Sequence, residues 1–351
     1  MNRRRLGFLA IVSLAAALIS PAPGLAQTVT SAMTGAMTGP DRTARLIAGA
    51  KKEATLTLYS STAVEDMTPL ISAFEKTYGV KVRVWRGASG DILQRALTEA
   101  RGGRYEVDVI ETTTAEMEVL AREGQFQAVN SPVFADLIPE ARPAATPWVG
   151  SRLILYNIAY NTNLVRAADL PKRYEDLIDP KWKGKIGIEA SDSNWFMALV
   201  SAMGEEKGVK LFRDVAARNG LSVRKGHTLL TSLVISGEVP IAWNVYRHET
   251  IAMKKLGAPI AELNLSPSIA QMAAAGAMKR APHPHAAMLF MDFLLSDGQK
   301  IWADLERVPT NRKYQKLPPG LALTFIDAPR FVRENAKWER LYREILTSQR
   351  R

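Results

Sequence analysis

The sequence predicts an α/β protein of two lobes, each a mostly parallel sheet flanked by helices, with a ligand cleft between the lobes. Three observations carry that prediction. The first third of the chain alternates strand-period and helix-period segments three times over, as a parallel sheet covered by helices does. A second alternation begins after "ATPWVGSRLILYNIAYN". The predicted strands end in "YSST", "RGASG" and "IETTT", rich in Ser, Thr or Gly, and open sheets bind ligands beyond the carboxyl ends of their strands.

In chain order, Arg3, Arg4 and Arg5 precede the apolar run "LGFLAIVSLAAALIS" and the small residues Gly24 and Ala26. This is the pattern of a signal peptide over residues 1–26, cleaved after about Ala26. The run is shorter than the roughly 20 residues of a membrane span, so no stable membrane insertion is expected after cleavage. Sec and twin-arginine export both stay open. Residues 27–42 are small, polar and nearly repetitive, and read as a disordered lead-in.

The first lobe opens with the helix "TARLIAGAKKEA" and the strand "TLTLYSS". The amphipathic helix "VEDMTPLISAFEKTYG" follows, with Gly79 as its left-handed stop. Strand "VKVRVWRG", helix "SGDILQRALTEARGG", strand "EVDVIETT" and helix "AEMEVLAREG" complete the series. In the second lobe, "SRLILYNIAYN" is a strand, "GIEA" is a strand running into "SDSN" at a helix start, and "TLLTSLVISGEVPIAWNVY" is helix, turn and strand. A helix opened by Pro284 and a helical tail close the chain. The lobes are expected to comprise residues 43–150 with 277–327, and 151–276 with 328–351. Hinges are expected near "WVGSRL" and "AAAGAMKR", where small residues ease backbone rotation.

Composition excludes several functions. With no cysteine, the chain has no disulfide, thiolate metal site or cysteine-borne lipid. The formal charge of +11 is partly the leader's, and the remaining Lys and Arg are scattered without a basic stripe alternating with aromatics. Nucleic-acid binding is therefore not expected. G-x-S-x-G, HExxH and P-loop patterns are all missing, so no enzyme is expected. His283 and His285 flank Pro284 at a helix entry, where they diverge, and no third zinc ligand is nearby. His227 and His248 stand alone and read as structural or exposed. No cofactor is expected.

"LYSS", "YNTN", "DPKWKGKIGI", "SGEVPIAW", "APHPHAAMLFMDFLLSDGQ" and "RVPTNRK" occur in this order across nearly the whole mature chain. Together they resemble the periplasmic solute-binding proteins of ferric-ion type that serve ABC importers. The resemblance implies a type II periplasmic-binding fold whose lobes are joined by strands crossing twice and close on a small-molecule ligand. It also implies a periplasmic location and hand-over to an ABC permease driven by its ATPase, and a monomer is expected. In iron-binding members, the segment after "GEVP" ends in two adjacent tyrosines that grip Fe(III). Here Tyr246 matches one, and Arg247 stands where the other would be. A guanidinium has no lone pair to offer a cation, whereas its planar fork suits carboxylate or phosphate. The expected ligand is thus a small organic or phosphorus-containing anion. The alternative is Fe(III) held by Tyr246 with a synergistic anion, and a secreted hydrolase is a remote third reading.

Ligand contacts are expected from the strand ends. Ser60 and Ser61 end the first strand, Ser89 sits at the second as ligand contact, N-cap or both, and Glu111 and Thr112 end the third. Glu111 reads foremost as a solvated strand end, with metal or amine contact as the other readings. Ser191, Asp192, Ser193 and Asn194 concentrate donors and acceptors before a helix, and Trp195 either walls the cleft or joins the core. Asn244, Tyr246 and Arg247 complete the set, Arg247 being a ligand contact or a surface residue of the next helix. No residue is assigned to a metal unless iron binds, in which case it is Tyr246.

Overall fold

The computed structural model describes residues 31–144, 146–317 and 321–348. The predicted signal peptide and residues 27–30 lie outside them. Residues 31–42 differ from a disordered lead-in. Residues 31–35 are helical, Ser31 and Thr34 are buried, and Arg42 forms a buried ion pair with Asp292. Small residues are what this contact needs: a Cβ on Gly35 would come within 2.3 Å of the Ala128 carbonyl oxygen.

The first lobe is built from α1 (Arg42–Glu53), β1 (Thr55–Ser60), α2 (Val64–Tyr78), β2 (Lys81–Arg86), α3 (Ser89–Arg101), β3 (Val109–Thr113) and α4 (Thr114–Arg122). The local causes are plain. In α2, Met67, Leu70 and Phe74 recur on one face and are buried. Gly79 ends the helix at φ 72°, its N–H donating to the Glu75 carbonyl at 2.8 Å. β1 alternates, burying Leu56 and Leu58, and pairs in parallel with both β2 and β3. β2 is the edge strand, and Lys81, Arg83 and Arg86 keep it soluble.

The chain then enters β4 (Val149–Asn161) and continues through β5 (Ile186–Glu189), α5 (Ser193–Met203), α6 (Glu205–Asn219), β6 (Ser222–Arg224), α7 (His227–Ser236), β7 (Ile241–Tyr246), α8 (Arg247–Lys255) and β8 (Ile260–Leu263). It returns through β9 (Ser268–Ala277) to α9 (Pro284–Leu295), α10 (Asp297–Asp304) and β10 (Val308–Pro309), then β11 (Leu323–Phe325) and α11 (Ala328–Thr347).

One sheet of eleven strands carries both lobes, in the order β2-β1-β3-β9-β4-β7-β5-β6, with β8 and β10 on β4 and β11 on β9. The outer strands are parallel, as expected, but β9 is antiparallel to β3 and to β4. β4 pairs with β9 through Leu155 and with β7 from Tyr156 onward. The exchange of partners thus falls between Leu155 and Tyr156, just past the stretch "WVGSRL". Two main apolar cores flank this crossing. One joins Phe74, Phe290 and Phe293; the other joins Trp195, Phe196, Phe212, Trp243 and Trp338. α11 packs against both α5 and α4, so the tail spans the two halves rather than belonging to one.

Candidate functional site

The carboxyl ends of β1 and β3 form one wall. Ser60 and Glu111 are register partners, so their side chains meet. Ser60 Oγ and Thr62 Oγ1 each donate to Glu111 Oε2 at 2.7 Å. Arg152, from β4, donates through Nη2 to Thr62 Oγ1 at 2.6 Å and lies 3.7 Å from Glu111 Oε1. Thr112 Oγ1 donates to Ser61 Oγ at 3.0 Å. Glu111 is 0% exposed, which corrects its reading as a solvated strand end: the paired strands bury it and three neighbours compensate its charge. Two buried polar atoms remain without a hydrogen-bond partner, Glu111 Oε1 and Arg152 Nε. Ser89 is the first residue of α3, whose cap is Ala88, and it stands apart from this network on the edge-strand side.

The second wall is built on β4, β5 and β7. Asn244 is fully buried and acts as a positioning residue: its Oδ1 accepts the Glu189 N–H at 2.9 Å and its Nδ2 donates to Asp192 Oδ2 at 2.7 Å. Glu189 accepts the N–H groups of Ser191 at 2.5 Å and Gly226 at 2.9 Å. Asp192 Oδ1 reaches His227 Nε2 at 3.3 Å. Donor atoms of Glu189, Asp192 and His227 all lie within 4.8 Å of one another, a spacing a cation could bridge.

Tyr246 ends β7 beside this triad. Its ring stacks on His227 at 3.6 Å between centroids and on His248 at 5.4 Å. Its cross-strand partner in β4 is Tyr156, with ring centroids 5.4 Å apart. Tyr156 donates its hydroxyl to Gln271 Oε1 at 3.0 Å. Burial, then the charge of Asp192, pushes both phenols up from their ordinary value. Burial, then the charge of Asp192, also raises Glu189. For His227, burial works toward the neutral ring, but the Asp192 charge and hydrogen bond outweigh it and the pKa rises. His248 is pushed well down by burial first, then by the charges of Arg307 and Arg152.

Several expected contacts lie elsewhere. Arg247 opens α8 and turns to β8, where its Nε lies 2.6 Å from Glu262 Oε2; its fork is occupied by a carboxylate of the protein. Trp195 is core, 2% exposed, edge-on to Trp243 and Phe212. Ser191 and Ser193 line a cavity beside Arg224 and α11, while Asp192 of that loop reaches His227, the ring stacked on Tyr246. Asn194 Oδ1 accepts the next residue's N–H at 2.7 Å. Conversely, His227 and His248 are not solitary, because the starts of α7 and α8 converge on Tyr246. Tyr156, Arg152, Thr62 and Glu189 were absent from the sequence-derived set. Their signal would have been strand register, which periodicity alone does not contain.

The profile of the family described as bacterial extracellular solute-binding protein matches residues 60–301. Iron uptake protein A1 of Synechocystis sp. is 26% identical over 259 residues, 69% of this chain and 71% of that protein. The Fe(3+)-binding periplasmic protein of Serratia marcescens is 28% identical over 171 residues, 48% of this chain and 50% of its own. Among solved structures, iron-bound HitA from Pseudomonas aeruginosa superposes with a TM-score of 0.70 at 24% identity, covering 83% of this chain and 99% of that one. At that identity the likeness speaks for the fold. No helix among the described residues is long and apolar enough to cross a membrane.

Proposed function

The chain belongs to the bacterial extracellular solute-binding proteins, in their ferric-ion type with the type II periplasmic-binding fold, and from that premise we propose that the solute it carries is Fe(III). It is the substrate-binding component of an ABC importer. In the proposed reading it works in the periplasm as a monomer, closes its lobes on the solute and delivers it to the permease and its ATPase.

The observation that carries iron is the convergence of Tyr246 and Tyr156 with the triad Glu189, Asp192 and His227. Phenolate and carboxylate oxygens are the hard donors a small trivalent cation prefers. Arg247, the residue that would repel such an ion, is paired with Glu262 instead. Tyr246 is the proposed principal ligand, with Asp192, Glu189 and His227 beside it. A synergistic anion would sit against Arg152, whose Nε is unpartnered, near the hydroxyls of Ser61 and Thr112.

A phenolate bound to Fe(III) absorbs in the visible, so titration with ferric nitrilotriacetate tests the reading directly. The expected result is a saturable coloured band at one iron per chain, lost in Tyr246→Phe. Absence of colour with wild-type protein overturns it. The second reading, an organic or phosphorus-containing anion alone, is favoured by the unpartnered Arg152 Nε. Calorimetry with phosphate, phosphonate and citrate in metal-free buffer separates the two: heat of saturable binding without iron selects the anion.

A further inference from the structure

A cavity of about 360 Å³ lies at the far pole of the first lobe, where α3 and α4 end and β9 has just finished. It is remote from the cleft. α3 begins at Ser89, just past the carboxyl end of β2, and ends at Arg101 after 13 residues, which at 1.5 Å each puts the cavity about 20 Å from the carboxyl end of that strand.

Arg101 and Arg104, from the end of α3 and the loop after it, and Lys279 and Arg280, just past β9, converge on this cavity. Among the described residues, Arg101, Arg104 and Lys279 have no ion-pair partner. Arg280 is held in place by Tyr105: its Nη1 donates to the phenol oxygen at 2.5 Å and its guanidinium lies 4.6 Å from the ring centre. Two carboxylates are present. Glu99 is already committed, accepting the Tyr59 hydroxyl at 2.9 Å and Arg95 Nε at 2.7 Å. That leaves Glu123, together with the two helix C-termini, each worth about half a negative charge. Four cations exceed this by roughly two charges. Beneath the cations the floor is apolar, with Leu97, Val107 and Met278 buried.

An uncompensated cationic rim favours a counter-anion, and guanidinium forks match phosphate or carboxylate oxygens in pairs. The floor and the Tyr105 ring add apolar contact that a bare inorganic ion cannot use. We propose that this cavity is a second binding site, separate from the interlobe cleft, for a small organic anion with a phosphate or carboxylate head and an apolar or aromatic body.

The test uses phenyl phosphate and inorganic phosphate as probes, measured by calorimetry on the full-length protein, with phosphatidylglycerol vesicles as a third arm. The expected result is one phenyl phosphate per chain, bound at least tenfold more tightly than inorganic phosphate. Arg104→Ser with Lys279→Ser should weaken it at least tenfold, and Arg280→Lys should weaken it by losing the fork while keeping the charge. Tyr246→Phe should leave it unchanged. Loss of binding in Tyr246→Phe would move the probe to the cleft and overturn the proposal. So would equal affinity for the two phosphates, binding to vesicles alone, or no saturable binding. Arg104 and Lys279 are exposed, so an unchanged unfolding midpoint is expected to confirm that the double variant folds.

Discussion

Tyr246 and its neighbours show how far a residue's role depends on its surroundings. Its phenol is raised by burial and by Asp192, so it stays protonated at neutral pH until a cation strong enough to displace the proton arrives. Iron uptake should therefore release protons, and apparent affinity should weaken as pH falls; competition titrations at pH 6 and pH 8 would read this. Asn244 has a different part. Replacing it with Ala leaves the Glu189 N–H and an Asp192 oxygen without their partner in a fully buried place. We expect a stability loss of about 1–3 kcal/mol in denaturant melts, together with weaker solute binding. Unchanged values for both would remove Asn244 from its positioning role. At the other end of the molecule, the hydrogen bond and charge of Asp108 raise the pKa of His283 despite partial burial. A raised folded pKa means the stabilisation is complete below the unfolded value of about 6.5 and fades as pH rises through the folded one. Wild-type protein should lose stability across that interval, and His283→Gln should flatten the dependence.

At the scale of elements, β4 and β9 matter most, because among the described residues their direct pairing joins the two halves of the sheet. Gly150 lies in the stretch first read as an easy hinge. Its small size has another cause: a Cβ there would sit 2.0 Å from Met272 Sδ on β9 and 3.1 Å from Ala141 Cα. Gly150→Val should therefore cost about 1–3 kcal/mol by overpacking, read as a lower unfolding midpoint; a neutral result would mean Met272 can repack. The alternation of strands and helices was legible in the sequence because each element carries its own periodicity. The antiparallel insertion of β9 was not, since the partner of a strand depends on residues more than a hundred positions away. Likewise, Tyr156 faces Tyr246 through the antiparallel pairing of β4 with β7, which neither stretch announces by itself.

Taken whole, the molecule is two main cores on one sheet, with a polar cluster around Glu111 in the first half and another around Glu189 and Asp192 in the second. A solute touching both walls favours the closed arrangement by its differential contacts. Adding the solute should reduce the radius of gyration in solution scattering, and at 100 times its Kd should stabilise the fold by about 2.7 kcal/mol. A radius that stays constant at saturation would count against closure. By itself the sequence determined the α/β class, the order of elements, the strand ends as the place to look, and the family, because these rest on local periodicity and contiguous motifs. The tertiary structure alone decided which side chains face one another there. Arg247 went to Glu262, Glu111 into a buried network, and two histidines and a second tyrosine came to Tyr246. The physical reason is that strand register and helix placement set those meetings, and both follow from how the whole chain packs, not from any one stretch of it.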